Sequence, residues 1–88
     1  MAYRFNTTIS VPSHAMGHII GRDGQTIHRI RNECGVVTYN EQYHPYQSQP
    51  VNLSIAGNSR NAIQQAIFQI EHEIAISNHW CRMNGIHC

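Results

Sequence analysis

The chain of 88 residues suffices for one hydrophobic core but not for two, since single domains take roughly 50 to 200 residues. Its net charge is only +1 and all six positive side chains are arginine, so no strongly basic field singles out a polyanion as partner. No apolar run approaches the roughly 18 residues of a membrane span and no leader pattern opens the sequence. The expectation is an intracellular soluble domain, cytoplasmic rather than nuclear, with no membrane partner.

Residues 3–11 alternate Tyr3, Phe5, Thr7, Ile9 and Val11 with Arg4, Asn6, Thr8 and Ser10, the period of a half-buried strand. Pro12-Ser13 ends it and opens a short helix over residues 14–20, whose apolar stripe is Ala15, Met16, Ile19 and Ile20. Gly21 stops that helix. A second helix, residues 25–34, places Ile27, Ile30 and Cys34 on one face, and Gly35 follows as its C-terminal cap.

Residues 36–40 read as a second strand and 41–50, with two prolines and no period, as a loop. Val51, Leu53 and Ile55 alternate with Asn52 and Ser54 in a third strand ended by Ala56-Gly57. Asn58-Ser59 is a helix-capping pair, and Ala62, Ile63, Ala66, Ile67, Ile70 and Ile74 recur at spacings of three and four. They predict a long helix from residue 60 to about 76, with 77–88 a continuation that frays into a tail. Three strands and three helices in this order pack most simply as a two-layer α+β domain, the helices covering one apolar sheet face.

The stretch Ile19-Ile20-Gly21-Arg22-Asp23-Gly24 joins two abutting helices by a corner bounded with glycines. Residues without a Cβ let a ligand backbone approach closely, and the amides opening the second helix point into the corner with the helix dipole behind them. A phosphate is the natural guest. Asp23 is also well placed as N-cap of the second helix, which would put its carboxylate where that phosphate would sit.

In order and spacing, Val11-Pro12, Gly17, Ile19-Ile20-Gly21-Arg22-Asp23-Gly24, Ile27, Ile30 and Cys34-Gly35 resemble the signature of the K-homology (KH) domain of type I. The resemblance implies an α+β, two-layer type I KH fold over residues 3–76, followed by a helix extension or tail at 77–88. Its sheet would be three-stranded and antiparallel, covered on one face by three helices in the order β-α-α-β-β-α. It implies further that about four nucleotides of single-stranded RNA, or DNA, lie in a narrow groove. The Gly21-Arg22-Asp23-Gly24 loop would clamp the backbone, Gly17, Ile20 and Ile27 would floor the groove, and Arg31 would reach base edges. His28 and Thr38 complete the expected set, Thr38 from the second strand, which with the 41–50 loop forms the other wall.

The chain departs from the family pattern at Asp23, commonly glycine, lysine or asparagine, and at His28, often lysine. A carboxylate about 6 Å from a phosphate repels it by about 0.7–3 kcal/mol before salt screening. The alternative reading is therefore a KH-fold protein-interaction or scaffold domain with weak or no nucleic-acid binding. Partners of the first reading are RNA and neighbouring KH domains, as in post-transcriptional regulators. Those of the second are proteins.

No paired carboxylates, nucleophile–base pair or cofactor motif occurs, so the chain is not read as an enzyme and no cofactor is implied. His72, His79, Cys81, His87 and Cys88 are soft ligands, but their spacing lacks the close pairs of structural zinc sites, so no metal is assigned. Three cysteines, an odd number, argue against a disulfide framework, and Cys34 reads as a buried apolar residue. Tyr39, Tyr43, His44 and Tyr46 read equally as base-stacking platforms or as packing at the sheet edge.

Overall fold

The computed structural model describes residues 3–44 and 47–85. Its first strand, β1, is Phe5–Val11, with Phe5, Thr7 and Ile9 half-buried, Val11 buried, and Asn6, Thr8 and Ser10 exposed. The alternation expected from the sequence is met, but the strand starts two residues later than expected. Phe5 pairs with Gly57, the last residue of its partner strand, so no ladder is available to Tyr3 and Arg4. The Arg4 N–H donates instead to Asn58 Oδ1 at 3.2 Å.

The first helix divides in two. A 3-10 turn at Ser13–Ala15 follows Pro12, whose carbonyl accepts from the Ala15 N–H at 2.9 Å, and α1 then runs over Met16–Ile20. After a second 3-10 turn at Arg22–Gly24 comes α2, Gln25–Cys34, closed by Gly35 with its N–H on the Arg31 carbonyl at 2.9 Å. Strands β2, Val36–Asn40, and β3, Val51–Gly57, flank the loop, and α3 spans Arg60–Met83.

Strand order in the sheet is β1-β3-β2, with both pairings antiparallel. The last strand in sequence is thus central, and it carries the most continuous apolar face, with Val51, Leu53 and Ile55 all buried. The three helices lie on that face. Met16 and Ile19 from α1, Ile30 and Cys34 from α2, and Ile63, Ala66 and Ile70 from α3 close the core over the strands. On the opposite face Asn6, Thr8, Ser10 and Asn52 are exposed, and Thr8 and Ser54 join there through their hydroxyls at 3.0 Å.

Ser59 caps α3, its hydroxyl accepting from the Ala62 N–H at 3.4 Å. The helix does not loosen at residue 76 but runs to Met83, with Ser77 and Cys81 buried. These two continue the stripe of Ile63, Ala66 and Ile70 at intervals of seven and four, so the inner face persists although its residues are no longer large and apolar. His14 Nε2 donates to Asn78 Oδ1 at 2.9 Å and ties the extension to the turn before α1. Trp80, by contrast, remains half exposed.

Candidate nucleic-acid interface

Helix α1 ends where the Gly21 N–H reaches the Gly17 carbonyl at 2.9 Å. Gly21 then takes φ 77° and ψ 178°, a combination that an L side chain opposes, and the chain leaves the helix axis. The loop closes with the Gly24 N–H on the Gly21 carbonyl at 3.2 Å. Asp23 (φ 56°, ψ 26°) and Gly24 (φ 76°, ψ 13°) are both left-handed, and Asp23 is the only described non-glycine residue with positive φ.

This geometry corrects the expected role of Asp23. The N-cap of α2 is Gly24, and no side chain caps the helix by a hydrogen bond. Two successive left-handed residues move the start of the helix one position beyond Asp23, whose side chain is left exposed in the loop. The amide end of α2 is thus free of a capping carboxylate, while a negative charge stands beside it. Arg22 is exposed as well, and among the described residues it has no ion-pair partner.

On either side of the loop, Ile20 and Ile27 are half-buried and packed against the core, and each keeps part of its surface open. Gly17 is exposed, one turn before Gly21, with nothing within 4 Å of where a side chain would start. The arginines of α2 divide. Arg29 lies 3.7 Å from Glu73 and 3.9 Å from Glu33, whereas Arg31, also exposed, pairs with no acid among the described residues. His28 is exposed and its Nε2 accepts from Asn32 Nδ2 at 3.0 Å.

Thr38 sits on β2 in register with Ile55, half-buried, on the same face as the buried Val36 and hence on the helix side of the sheet. β2 is an edge strand of the sheet, and α2 packs against it. The loop tyrosines separate. Tyr43 packs against the core, while Tyr39 alternates with Thr38 onto the opposite, open face of the sheet. Tyr46 lies outside the described residues, as do His87 and Cys88.

Cys34 is buried, and burial pushes its thiol above the ordinary value of 9.0, with the Glu33 carboxylate adding to the rise and Arg29 opposing it. It has the environment of a core residue rather than of a nucleophile. No group of three or more histidine, cysteine or acidic residues among the described residues is arranged to hold a metal ion.

A β-α-α-β-β-α chain with a three-stranded antiparallel sheet, one face covered by three helices, and a glycine-bounded corner between the first two is the type I KH architecture. The family model of the KH domain matches residues 6–72, and the chain belongs to that family. Among solved structures it is similar to the 14th type I KH domain of human vigilin, with a TM-score of 0.60 and 20% identity. The match covers 84% of this chain and 77% of that one, and at such identity it speaks for the fold alone. No curated protein sequence matches the chain.

Proposed function

We propose that this KH domain is a single-stranded RNA-binding module that grips about four nucleotides between the 21–24 loop, its two helices, β2 and the 41–50 loop. Family membership supports nucleic-acid binding in general. The observation that carries the particular groove is the loop itself. It joins two Cβ-free positions to an α2 N-terminus that no side chain caps, and Arg22 and Arg31, neither paired with a described acid, flank the half-buried Ile20 and Ile27. Backbone phosphate would meet the free amides and Arg22, bases would lie over the isoleucines, and Arg31 and Thr38 would offer hydrogen bonds to base edges.

One such groove binds weakly, so the module would act alongside neighbouring KH domains or protein partners that raise its effective concentration. The test is titration of the isotope-labelled protein with pools of short random RNA. Amide shifts should concentrate at Gly17, residues 20–24, Ile27, Arg31 and Thr38. Arg22→Asp, at an exposed position, should leave the spectrum folded and abolish binding. Retained affinity in that variant would remove the clamp, and a wild-type protein indifferent to both RNA and single-stranded DNA would favour the protein-interaction reading.

A further inference from the structure

The 41–50 loop is tied to the helical layer at a residue outside the expected site. Beyond the last rung of the β1–β3 ladder, Val11 with Val51, the two segments part, yet the Ser13 hydroxyl donates to the Gln47 carbonyl at 2.6 Å and rejoins them. Both residues are half-buried. The bond lies at the short end of the range for a hydroxyl donor to oxygen.

Gln47 is the hub of this part of the loop. Its N–H donates to the His44 carbonyl at 3.0 Å, its Oε1 accepts from the His44 N–H at 2.8 Å, and its Nε2 donates to the Gln49 carbonyl at 2.8 Å. With Ser13 on its carbonyl, both backbone groups and both side-chain polar atoms of Gln47 are engaged. Residues 47–50 lie outside any helix or strand, so bonds of this kind take the place of a ladder.

The start of the loop is anchored differently. The Glu41 N–H donates to the Asn52 carbonyl at 3.3 Å and its carboxylate accepts from the Asn52 N–H at 2.9 Å, which extends the β2–β3 pairing past Asn40 and Leu53. Tyr43 packs against the core. These contacts fix the loop to the sheet and the core, whereas the Ser13 bond fixes it to the turn Ser13–Ala15, which runs directly into α1 with Gly17 and Ile20. A hydroxyl thus joins the loop wall of the proposed groove to the helix that would floor it.

We infer that Ser13 is a positioning residue for RNA binding: through Gln47 it holds the loop wall at a fixed separation from α1 before any ligand arrives. The inference rests on the proposed RNA groove. A wall held in place is already in its binding form, whereas a loosened one is competent only part of the time, and apparent affinity falls in proportion to that fraction. The loss then appears in the association rate, because the complex keeps its contacts once formed.

The test is stopped-flow fluorescence with the best-bound RNA of the random pools, on full-length chains. Ser13→Ala should keep the wild-type circular dichroism spectrum, exchange faster at the loop-bonded amides of His44 and Gln47, and bind RNA about 3- to 10-fold more weakly, the range of one hydrogen bond, through slower association. Ser13→Thr keeps the hydroxyl and should bind as the wild type does. Gln47→Ala, which removes the side-chain bonds to His44 and Gln49, should slow association likewise, and the double variant should lose less than the sum of the two. A folded Ser13→Ala variant that associates at the wild-type rate would overturn the inference and leave the groove standing. So would a Ser13→Thr variant no better than Ser13→Ala, or strict additivity with Gln47→Ala. A wild type that binds no RNA would remove the groove and the inference together.

Discussion

Thr26 closes over the bare Cα of Gly21: the Cβ that an alanine would add at Gly21 falls on Thr26 Oγ1, 2.7 Å from Thr26 Cβ and 2.8 Å from its backbone nitrogen. The first loop glycine is therefore required both by its positive φ and by the first turn of α2 packed against it. Gly24 has the positive φ but open space around it.

The two glycines should consequently differ in their tolerance of a methyl group. Gly24→Ala should cost about 1 kcal/mol, the strain of a left-handed residue with a side chain. Gly21→Ala adds overlap with the start of α2 and should cost about 3 kcal/mol. Urea unfolding monitored by circular dichroism would measure both, and equal losses would mean that Thr26 yields freely.

Asp23 stands exposed in the loop in a left-handed conformation and does not cap α2. Asp23→Gly should raise stability by up to about 1 kcal/mol, since glycine adopts that conformation freely. If phosphate binds at the corner, the same change should tighten RNA binding between about 3-fold and 100-fold, the equivalent of about 0.7–3 kcal/mol of relieved repulsion. Asp23→Lys should also steepen the salt dependence, by about 0.7 in the logarithmic slope for one added phosphate contact. Unchanged affinity in a fluorescence titration of both variants would place Asp23 away from the phosphate.

The bond from His14 to Asn78, 64 residues apart, should couple the C-terminal turns of α3 to the start of α1. Asn78→Ala should lose about 1 kcal/mol of stability, and most of that loss should vanish in a His14→Ala background. Hydrogen exchange should show faster opening around residues 78–83 in either single variant. A strictly additive double-mutant cycle would show the bond to contribute nothing.

Cys34 is held as the neutral thiol by burial, with Glu33 reinforcing the effect. Because its value in the folded state lies above that of the unfolded chain, the associated stability is fully present below pH 9 and falls as pH rises through the raised value. The stability of the wild type relative to Cys34→Ala should thus be constant up to about pH 9 and decline beyond it. Alkylation at pH 8 under native conditions should be slow at Cys34 and become rapid on unfolding. A native thiol that reacts at the free-cysteine rate would contradict the burial.

Elements defined by local periodicity are legible in the sequence itself. Residues 25–34, 36–40 and 51–57 run as their patterns require, since the alternation of Val51, Leu53 and Ile55 and the spacing of Ile27, Ile30 and Cys34 already encode which side is buried. The candidate site is legible for a related reason. Most of it lies in one continuous stretch from Gly17 to Arg31, carried by two helices and the turn between them.

Other features depend on contacts between distant segments, which periodicity does not record. Alternation tells a strand which face to bury but not which neighbour to take, and only the assembled sheet places β3 between β1 and β2. Apolar spacing ends α3 too early because Ser77 and Cys81, both buried, are poor apolar markers, and Cys81 is moreover disulfide-bonded. The same holds for the loop. Residue preference favours aspartate as a cap, yet the turn that sets α2 against α1 makes Asp23 left-handed and passes the cap to Gly24. Composition and local spacing thus determined the elements, the family resemblance and the loop's chemical character. Tertiary packing decided the strand order, the reach of the last helix and the exposure of the loop's one carboxylate.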